Sequence, residues 1–198
     1  REVMDEFLYT NRWYWKNVDD EMEPKTYTCY NCGETISSRE GYTCSESSFA
    51  KGTYGKIYIC HICKRPTYFF NNEQVPGSLL GDEVKYLPEN INKAYNEARK
   101  CFSIAAYTSS VLCCRKILMY IACEKGAEEG KSFVEYIDHL DNNGYIAPNM
   151  KSWVDQIRLL GNEATHKLEN KNREDAELVI NFTSILLKII FEFPSLLN

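Results

Sequence analysis

Four cysteines form two Cys-x-x-Cys pairs, in the stretches YTCYNCGET and YICHICKRP. The pairs are Cys29 with Cys32 and Cys60 with Cys63. Two intervening residues allow both thiolates of a pair to reach one tetrahedral ion at about 2.3 Å. Gly33 directly follows the first pair and gives the chain the backbone freedom that such a turn needs. A closed set of four cysteines has no open coordination position. We therefore expect a structural Zn²⁺ that folds a small module and does no chemistry.

Two alternatives to a metal site stay open for these cysteines, namely two disulfides or four unrelated thiols. The 27 residues between the pairs exceed the spacing that is usual for zinc sites of this type. The flanking stretches TYTC and IYIC nevertheless favour the two hairpins of a zinc ribbon. Cys44 and His61 are the alternate ligands that the neighbouring sequence offers.

A second group of chemically capable residues lies in SWVDQIRLLGNEATHKLENK, where Arg158, Asn162 and His166 recur every four residues. At about 100° per residue, these three side chains line up along one side of a helix. An apolar stripe occupies the opposite side. It consists of Trp153, Ile157, Leu160, Ala164 and Leu168. The trio is therefore predicted to point away from the core of its own domain.

The plainer interpretation of this trio is a solvated helix face that carries ordinary exposed side chains. Gly161 argues for a site, because glycine in a helix interior costs about 1 kcal/mol relative to alanine and suggests close approach by another group. Arg115, on an otherwise apolar helix face, is expected to pair with a carboxylate such as Glu97 or Glu163.

The elements that must position these residues fall into two regions, which together predict an α+β fold. Residues 1–74 contain short alternating runs typical of strands and form a small β-rich module. The Pro- and Gly-containing stretch VPGSLLGDE places a linker at residues 75–87. Residues 88–198 show helical periodicity and predict an all-α bundle of about five helices.

Composition narrows the classes of function. The net charge is −5, and Lys and Arg do not outnumber Asp and Glu on either side of residue 87, which argues against broad nucleic-acid attachment. The start of the chain shows no signal-peptide pattern. The apolar stretch ELVINFTSILLKIIFEF is interrupted by polar residues, so we expect a buried amphipathic helix and no membrane span. Nine cysteines, four of them in apolar helical surroundings, indicate a reducing, cytoplasmic environment.

The C-terminal region resembles the bacterial family called domain of unknown function 4145. The resemblance rests on LPENINKAYNEA, AAYTSSVLCCRKILMYI, GYIAP and above all IRLLGNEATH. That family is considered similar to the HEPN (higher-eukaryote and prokaryote nucleotide-binding) bundles, many of which are dimeric, metal-independent ribonucleases. The resemblance implies that Arg158 and His166 are a catalytic pair, with Asn162 beside them. It also implies a homodimer acting on RNA in bacterial or phage defence or counter-defence.

In that chemistry His166 would act as general base or acid, and Arg158 would clamp the phosphate. Seven residues separate Arg158 from His166, whereas the HEPN nucleases usually have four to six. This spacing and the acidic balance favour an alternative, a non-catalytic module in which zinc ribbon and helical bundle bind a protein partner.

Overall fold

The structure is a computed structural model that describes residues 15–44, 55–70, 72–161 and 170–196. The chain divides into two compact units between Ser78 and Leu79. The first unit contains the strands, and the second contains the helices.

The described part of the first unit is built from short antiparallel strands. Strands β1 (Lys25–Thr28) and β2 (Thr35–Ser38) form a separate hairpin. A four-stranded sheet has the order β3-β4-β5-β6. Its strands are Gly41–Thr43, Gly55–Ile59, Pro66–Phe70 and Glu73–Val75. One cysteine pair lies in the turn from β1 to β2, and the other lies in the turn from β4 to β5. Two hairpins therefore carry the two pairs, as the flanking sequence predicts.

Aromatic rings fill the small core of the first unit. The Phe69 ring contacts the rings of Tyr27 and Tyr58, with centroids 5.1 and 5.7 Å apart. Along β5 the buried residues Thr67 and Phe69 alternate with exposed ones, as expected for a strand buried on one face. Aromatic pairs of this kind contribute about 0.5–1.5 kcal/mol beyond the area that they bury. This core supports the turns that carry the cysteines.

The second unit is helical. Its five main helices in the described part are α1 (Glu89–Ser103), α2 (Tyr107–Glu124), α3 (Phe133–Asn142), α4 (Lys151–Gly161) and α5 (Arg173–Leu187). A 3-10 turn at Pro148–Met150 precedes α4. A π-helical turn (Lys188–Glu192) and the short α6 (Phe193–Ser195) follow α5. The described residues confirm the predicted α+β fold, with a β-rich first part and five helices after it.

Helix α2 lies at the centre of this unit and packs against α1, α3 and α5. Its residues Leu118 and Ile121 are completely buried. Helix α4 adds Val154, Ile157 and Leu160 to the same core. Of the predicted apolar stripe, Ile157 and Leu160 are therefore buried as expected, and Trp153 is partly buried against the same core. Ala164 and Leu168 lie outside the described residues.

Local signals fix both ends of α3. The Ser132 hydroxyl accepts a hydrogen bond from the backbone N–H of Glu135 (3.3 Å). The Glu135 carboxylate accepts one from the N–H of Ser132 (2.8 Å). This reciprocal pair is the predicted capping box. At the other end Gly144 adopts φ +75°, and its N–H donates to the Asp141 carbonyl. The helix ends at the NNG stretch, as the sequence predicts.

Residues 79–87, predicted as part of a linker, lie against the helices; we call them the docked segment. The Arg99 guanidinium on α1 donates to the carbonyls of Leu80 and Gly81, both at 2.8 Å. The Tyr95 hydroxyl donates to the Asp82 carbonyl at 3.0 Å. From α5, the Ser184 hydroxyl accepts from the Asp82 N–H at 3.2 Å. The helical unit therefore begins before α1.

The apolar C-terminal stretch forms α5 and the turns after it. Among the described helices, none has both the length and the apolar character that a membrane crossing needs.

Candidate functional site

The two cysteine pairs have the same backbone turn. The Cys29 N–H donates to the Glu34 carbonyl, and the Gly33 N–H donates back to the Cys29 carbonyl. In the second pair the Cys60 N–H donates to the carbonyl of Arg65, and the Lys64 N–H donates to that of Cys60. Gly33 and Lys64 hold equivalent positions and both have positive φ, at +77° and +58°. Lys64 adopts a conformation that costs a residue with a side chain about 1 kcal/mol.

The four sulfur atoms are close enough to hold one metal ion. All four lie within 4.8 Å of one another. The Sγ–Sγ distance is 3.6 Å between Cys29 and Cys63, and 3.8 Å between Cys32 and Cys60. A tetrahedron with metal–sulfur bonds of about 2.3 Å has edges of about 3.8 Å. Disulfide bonds have S–S distances of only about 2.05 Å, so this spacing fits a tetrahedral S₄ site.

Burial distinguishes the ligands within each pair. Cys29 and Cys60 are fully buried, whereas Cys32 and Cys63 are partly exposed. Burial raises the pKa of the Cys63 thiol to about 12 and also raises the pKa of Cys32. Burial opposes ionisation of Cys60 as well, but hydrogen bonds from the backbone of Cys63 and Ile62 lower its pKa overall. A cation is therefore needed to hold all four sulfurs as thiolates at neutral pH.

The alternate ligands Cys44 and His61 are not part of this cluster in the described part of the chain. The Cys44 sulfur accepts a hydrogen bond from the Gly55 N–H at 3.0 Å. His61 is exposed within the second turn. The candidate metal centre consists, within the described ranges, of the four cysteines.

Arg158 lies on α4 and is surrounded by carboxylates. Its guanidinium donates to Asp138 at 2.7 Å, to Asp155 at 2.9 Å and to Asp141 at 3.1 Å. Asp155 is three residues before Arg158 on the same helix, whereas Asp138 and Asp141 lie on α3. Burial lowers the pKa of Arg158, but these hydrogen bonds raise it above its ordinary value overall. The Arg158 side chain is only 23% exposed.

This arrangement differs from the prediction that Arg158, Asn162 and His166 line up on one side of the helix and point away from their own domain. Arg158 faces the neighbouring helix α3 of its own unit. One positive charge and three negative charges meet there, a formal balance of −2. Asn162 and His166 lie outside the described residues. Their proximity to Arg158 therefore stays a prediction.

Arg115 stacks its guanidinium on the Phe133 ring, 4.6 Å from the ring centroid. Burial lowers its pKa. Among the described residues no carboxylate is within salt-bridge distance of it, so the expected pairing with Glu97 is absent. Glu163, the other expected partner, lies outside the described residues. The cation–π contact replaces part of the hydration that the guanidinium loses.

Comparison with known families identifies the helical part of the chain. The profile of a family described as Domain of unknown function (DUF4145) matches residues 96–197. The chain belongs to the DUF4145 family. Neither the curated proteins nor the solved structures contain a match. The DUF4145 match covers Arg158, Asn162 and His166 but excludes the four cysteines. The candidate metal centre therefore lies outside the matched region.

Three residues of the Arg158 cluster were missed by the sequence analysis, namely Asp138, Asp141 and Asp155. A partial signal exists, because Asp155 stands three residues before Arg158, a spacing that allows a contact along one helix. Asp138 and Asp141 also stand three residues apart and share one face of α3. Which helix that face meets depends on tertiary packing.

Proposed function

We propose that the first unit is a zinc ribbon and that Cys29, Cys32, Cys60 and Cys63 hold a structural Zn²⁺. The sulfur spacing and the two matching turns support this assignment. When bound, Zn²⁺ would cross-link the two hairpins. It would catalyse no reaction, because four thiolates complete its coordination. Thiolates that hold zinc need a reducing compartment, so we place the protein in the cytoplasm.

For the helical unit we infer a non-catalytic role, as a module that binds a protein partner. The observation that carries this proposal is the engagement of Arg158 by three carboxylates. A phosphate would have to replace those carboxylates and enter a region with a formal charge of −2. Like charges disfavour that exchange. Arg158 instead joins α3 to α4 and thereby supports the bundle.

A HEPN-like ribonuclease is the second candidate, and family membership is what favours it. The DUF4145 match includes the whole stretch IRLLGNEATH. In this candidate two copies pair through the α4 face, His166 activates a ribose 2′-hydroxyl, and Arg158 exchanges its carboxylates for the RNA phosphate. A role in bacterial or phage defence or counter-defence belongs to this candidate.

One experiment separates the two candidates. The full chain is incubated with labelled RNA in EDTA, beside the variants His166→Ala and Arg158→Lys. The protein-binding module predicts no cleavage by any of the three proteins. Cleavage by the wild type that His166→Ala abolishes would refute the non-catalytic role and support the ribonuclease. Cleavage that persists in His166→Ala indicates a contaminating nuclease and calls for further purification.

Oligomeric state gives an independent readout. Sedimentation analysis of the zinc-loaded chain measures whether two copies associate. The ribonuclease candidate requires a dimer, since each copy contributes part of the site. A monomer at the concentration of the cleavage assay contradicts that candidate.

A further inference from the structure

The first unit contains a cavity of about 500 Å³ that is separate from the cysteine cluster. The residues that line it include the aromatic Tyr58 and Phe69 and the polar Lys25, Lys56 and Asn72. A volume of this size is typical of sites for small ligands, which range over about 300–1,000 Å³. None of these residues belongs to the cysteine cluster or to the helical unit.

Two ammonium groups face the same side of the sheet here. Lys56 on β4 is the cross-strand partner of Phe69 on β5, so both side chains lie on one face. The Lys25 Nζ from β1 lies 4.7 Å from the centre of the Phe69 ring. Both cations therefore border one cavity, in a chain whose net charge is −5.

The position of Lys25 is fixed from two directions. Its ammonium group contacts the Phe69 ring and donates to the Asn72 side-chain oxygen at 2.9 Å. Asn72 adopts φ +71° in the turn between β5 and β6. The Asn72 side-chain oxygen accepts this hydrogen bond, and the NH₂ group of the same amide carries the donors of the side chain. Lys25 covers the ring face, so a ligand would gain more from charge than from stacking.

Among the described residues that line this cavity, Glu23 is the one with a carboxylate. Glu23 contacts Lys56 at 3.4 Å, and the Glu23 side chain is 80% exposed. Such an exposed pair contributes little stability, about 0–1 kcal/mol. Glu73 is the partner of Phe70 and therefore belongs to the opposite face of the sheet. The described lining residues therefore carry two positive charges and one negative charge, an excess of positive charge.

We propose that this cavity binds the phosphoryl group of a small phosphorylated ligand. Two ammonium groups match the charge of about −1.5 to −2 that a phosphate monoester carries near neutral pH. Lys25 and Lys56 donate to the phosphoryl oxygens, and Asn72 adds an amide donor. The remaining volume accommodates the organic part of the ligand. Glu23 competes with the phosphate for Lys56.

Calorimetric titration of the full zinc-loaded chain tests this proposal with inorganic phosphate, AMP and adenosine as probes. Phosphate and AMP are expected to bind, and adenosine is not. Lys25→Gln and Lys56→Gln are each expected to weaken AMP binding by about tenfold, the usual effect of losing one charge-assisted hydrogen bond. The matched control Lys16→Gln removes the same charge from an exposed position of the same unit and leaves AMP affinity unchanged.

Glu23→Gln is expected to change AMP affinity in the opposite direction. It removes the carboxylate that competes for Lys56 and should tighten AMP binding severalfold. Damage to the fold would not increase the affinity. Three results would overturn the proposal. The first is no heat with phosphate or AMP at about 1 mM, the upper end of ordinary substrate concentrations. The others are equal binding of adenosine and AMP, and equal effects of Lys25→Gln and Lys16→Gln on AMP binding.

Discussion

Replacing Gly81 with alanine tests how firmly the docked segment is held. Gly81 has φ +74°, and a Cβ atom there would lie 2.5 Å from the Tyr95 hydroxyl oxygen and 2.8 Å from a methyl carbon of Ile180. Both neighbours are buried, so neither moves freely. Gly144 provides a matched control, because its φ is +75° but a Cβ there would meet nothing within 4 Å. The two positions differ in available space and hardly in backbone conformation.

The expected loss of stability has separate causes. Alanine in a left-handed conformation costs about 1 kcal/mol, and both variants lose this amount. At Gly81, displacing Tyr95 also weakens its hydrogen bond to Asp82, at about 1 kcal/mol. Crowding against Ile180 adds about 1 kcal/mol or more. Gly81→Ala should therefore lower the free energy of unfolding by about 3 kcal/mol, and Gly144→Ala should lower it by about 1 kcal/mol.

Urea denaturation followed by far-ultraviolet circular dichroism measures both changes, with zinc present throughout. A double variant, Gly81→Ala with Tyr95→Phe, removes the oxygen nearest to the new Cβ. Its loss should be smaller than the sum of the two single losses by about 1 kcal/mol, because the clash and the hydroxyl disappear together. Equal destabilisation by Gly81→Ala and Gly144→Ala would refute the tight packing of the docked segment.

Three further predictions concern the cysteine turns and Arg158. Cys60→Ser should abolish stoichiometric zinc binding, measured by metal analysis, while Cys44→Ser should leave it intact. Gly33→Ala should lower the unfolding free energy of the zinc-loaded protein by about 1 kcal/mol, because only its φ opposes a side chain. Lys64→Ala, at the equivalent position, should change it by less than about 0.5 kcal/mol; equal losses would contradict the argument. Arg158→Met should lower helical stability by about 1–2 kcal/mol in urea titrations, after allowance for partial exposure of the cluster; an unchanged midpoint would contradict a structural role.

The sequence predicted features that depend on short stretches of chain. Each Cys-x-x-Cys spacing indicates, without any knowledge of the fold, that two thiols lie together in one local turn. Ser132 and Glu135 define the start of α3 for the same reason, since a capping box needs only four consecutive residues. The division into a β-rich part and a helical part follows from the change in periodicity of the apolar residues.

Features that depend on distant parts of the chain were not predictable in this way. Arg158 pairs with carboxylates 17 and 20 residues earlier in the chain. A helical wheel of α4 shows that Arg158 lies on a polar face, but it does not show which other helix packs against that face. The Pro- and Gly-containing stretch has the composition of a linker. Its Asp82 nevertheless contacts Ser184, which lies 102 residues later in the chain. The glycine at position 81 reflects close packing against Tyr95, which composition does not reveal.

The docked segment joins the beginning of the helical unit to its end. Through Asp82 it contacts Tyr95 on the first helix and Ser184 on the last main helix, and the Lys85 N–H donates to Glu192 just beyond. The family match starts only at residue 96 and therefore does not include the docked segment. A fragment that begins at residue 96 would lack the docked segment and the first seven residues of α1, and so every contact named here. A fragment that begins at residue 79 would keep these contacts and is the better choice for expressing the helical unit.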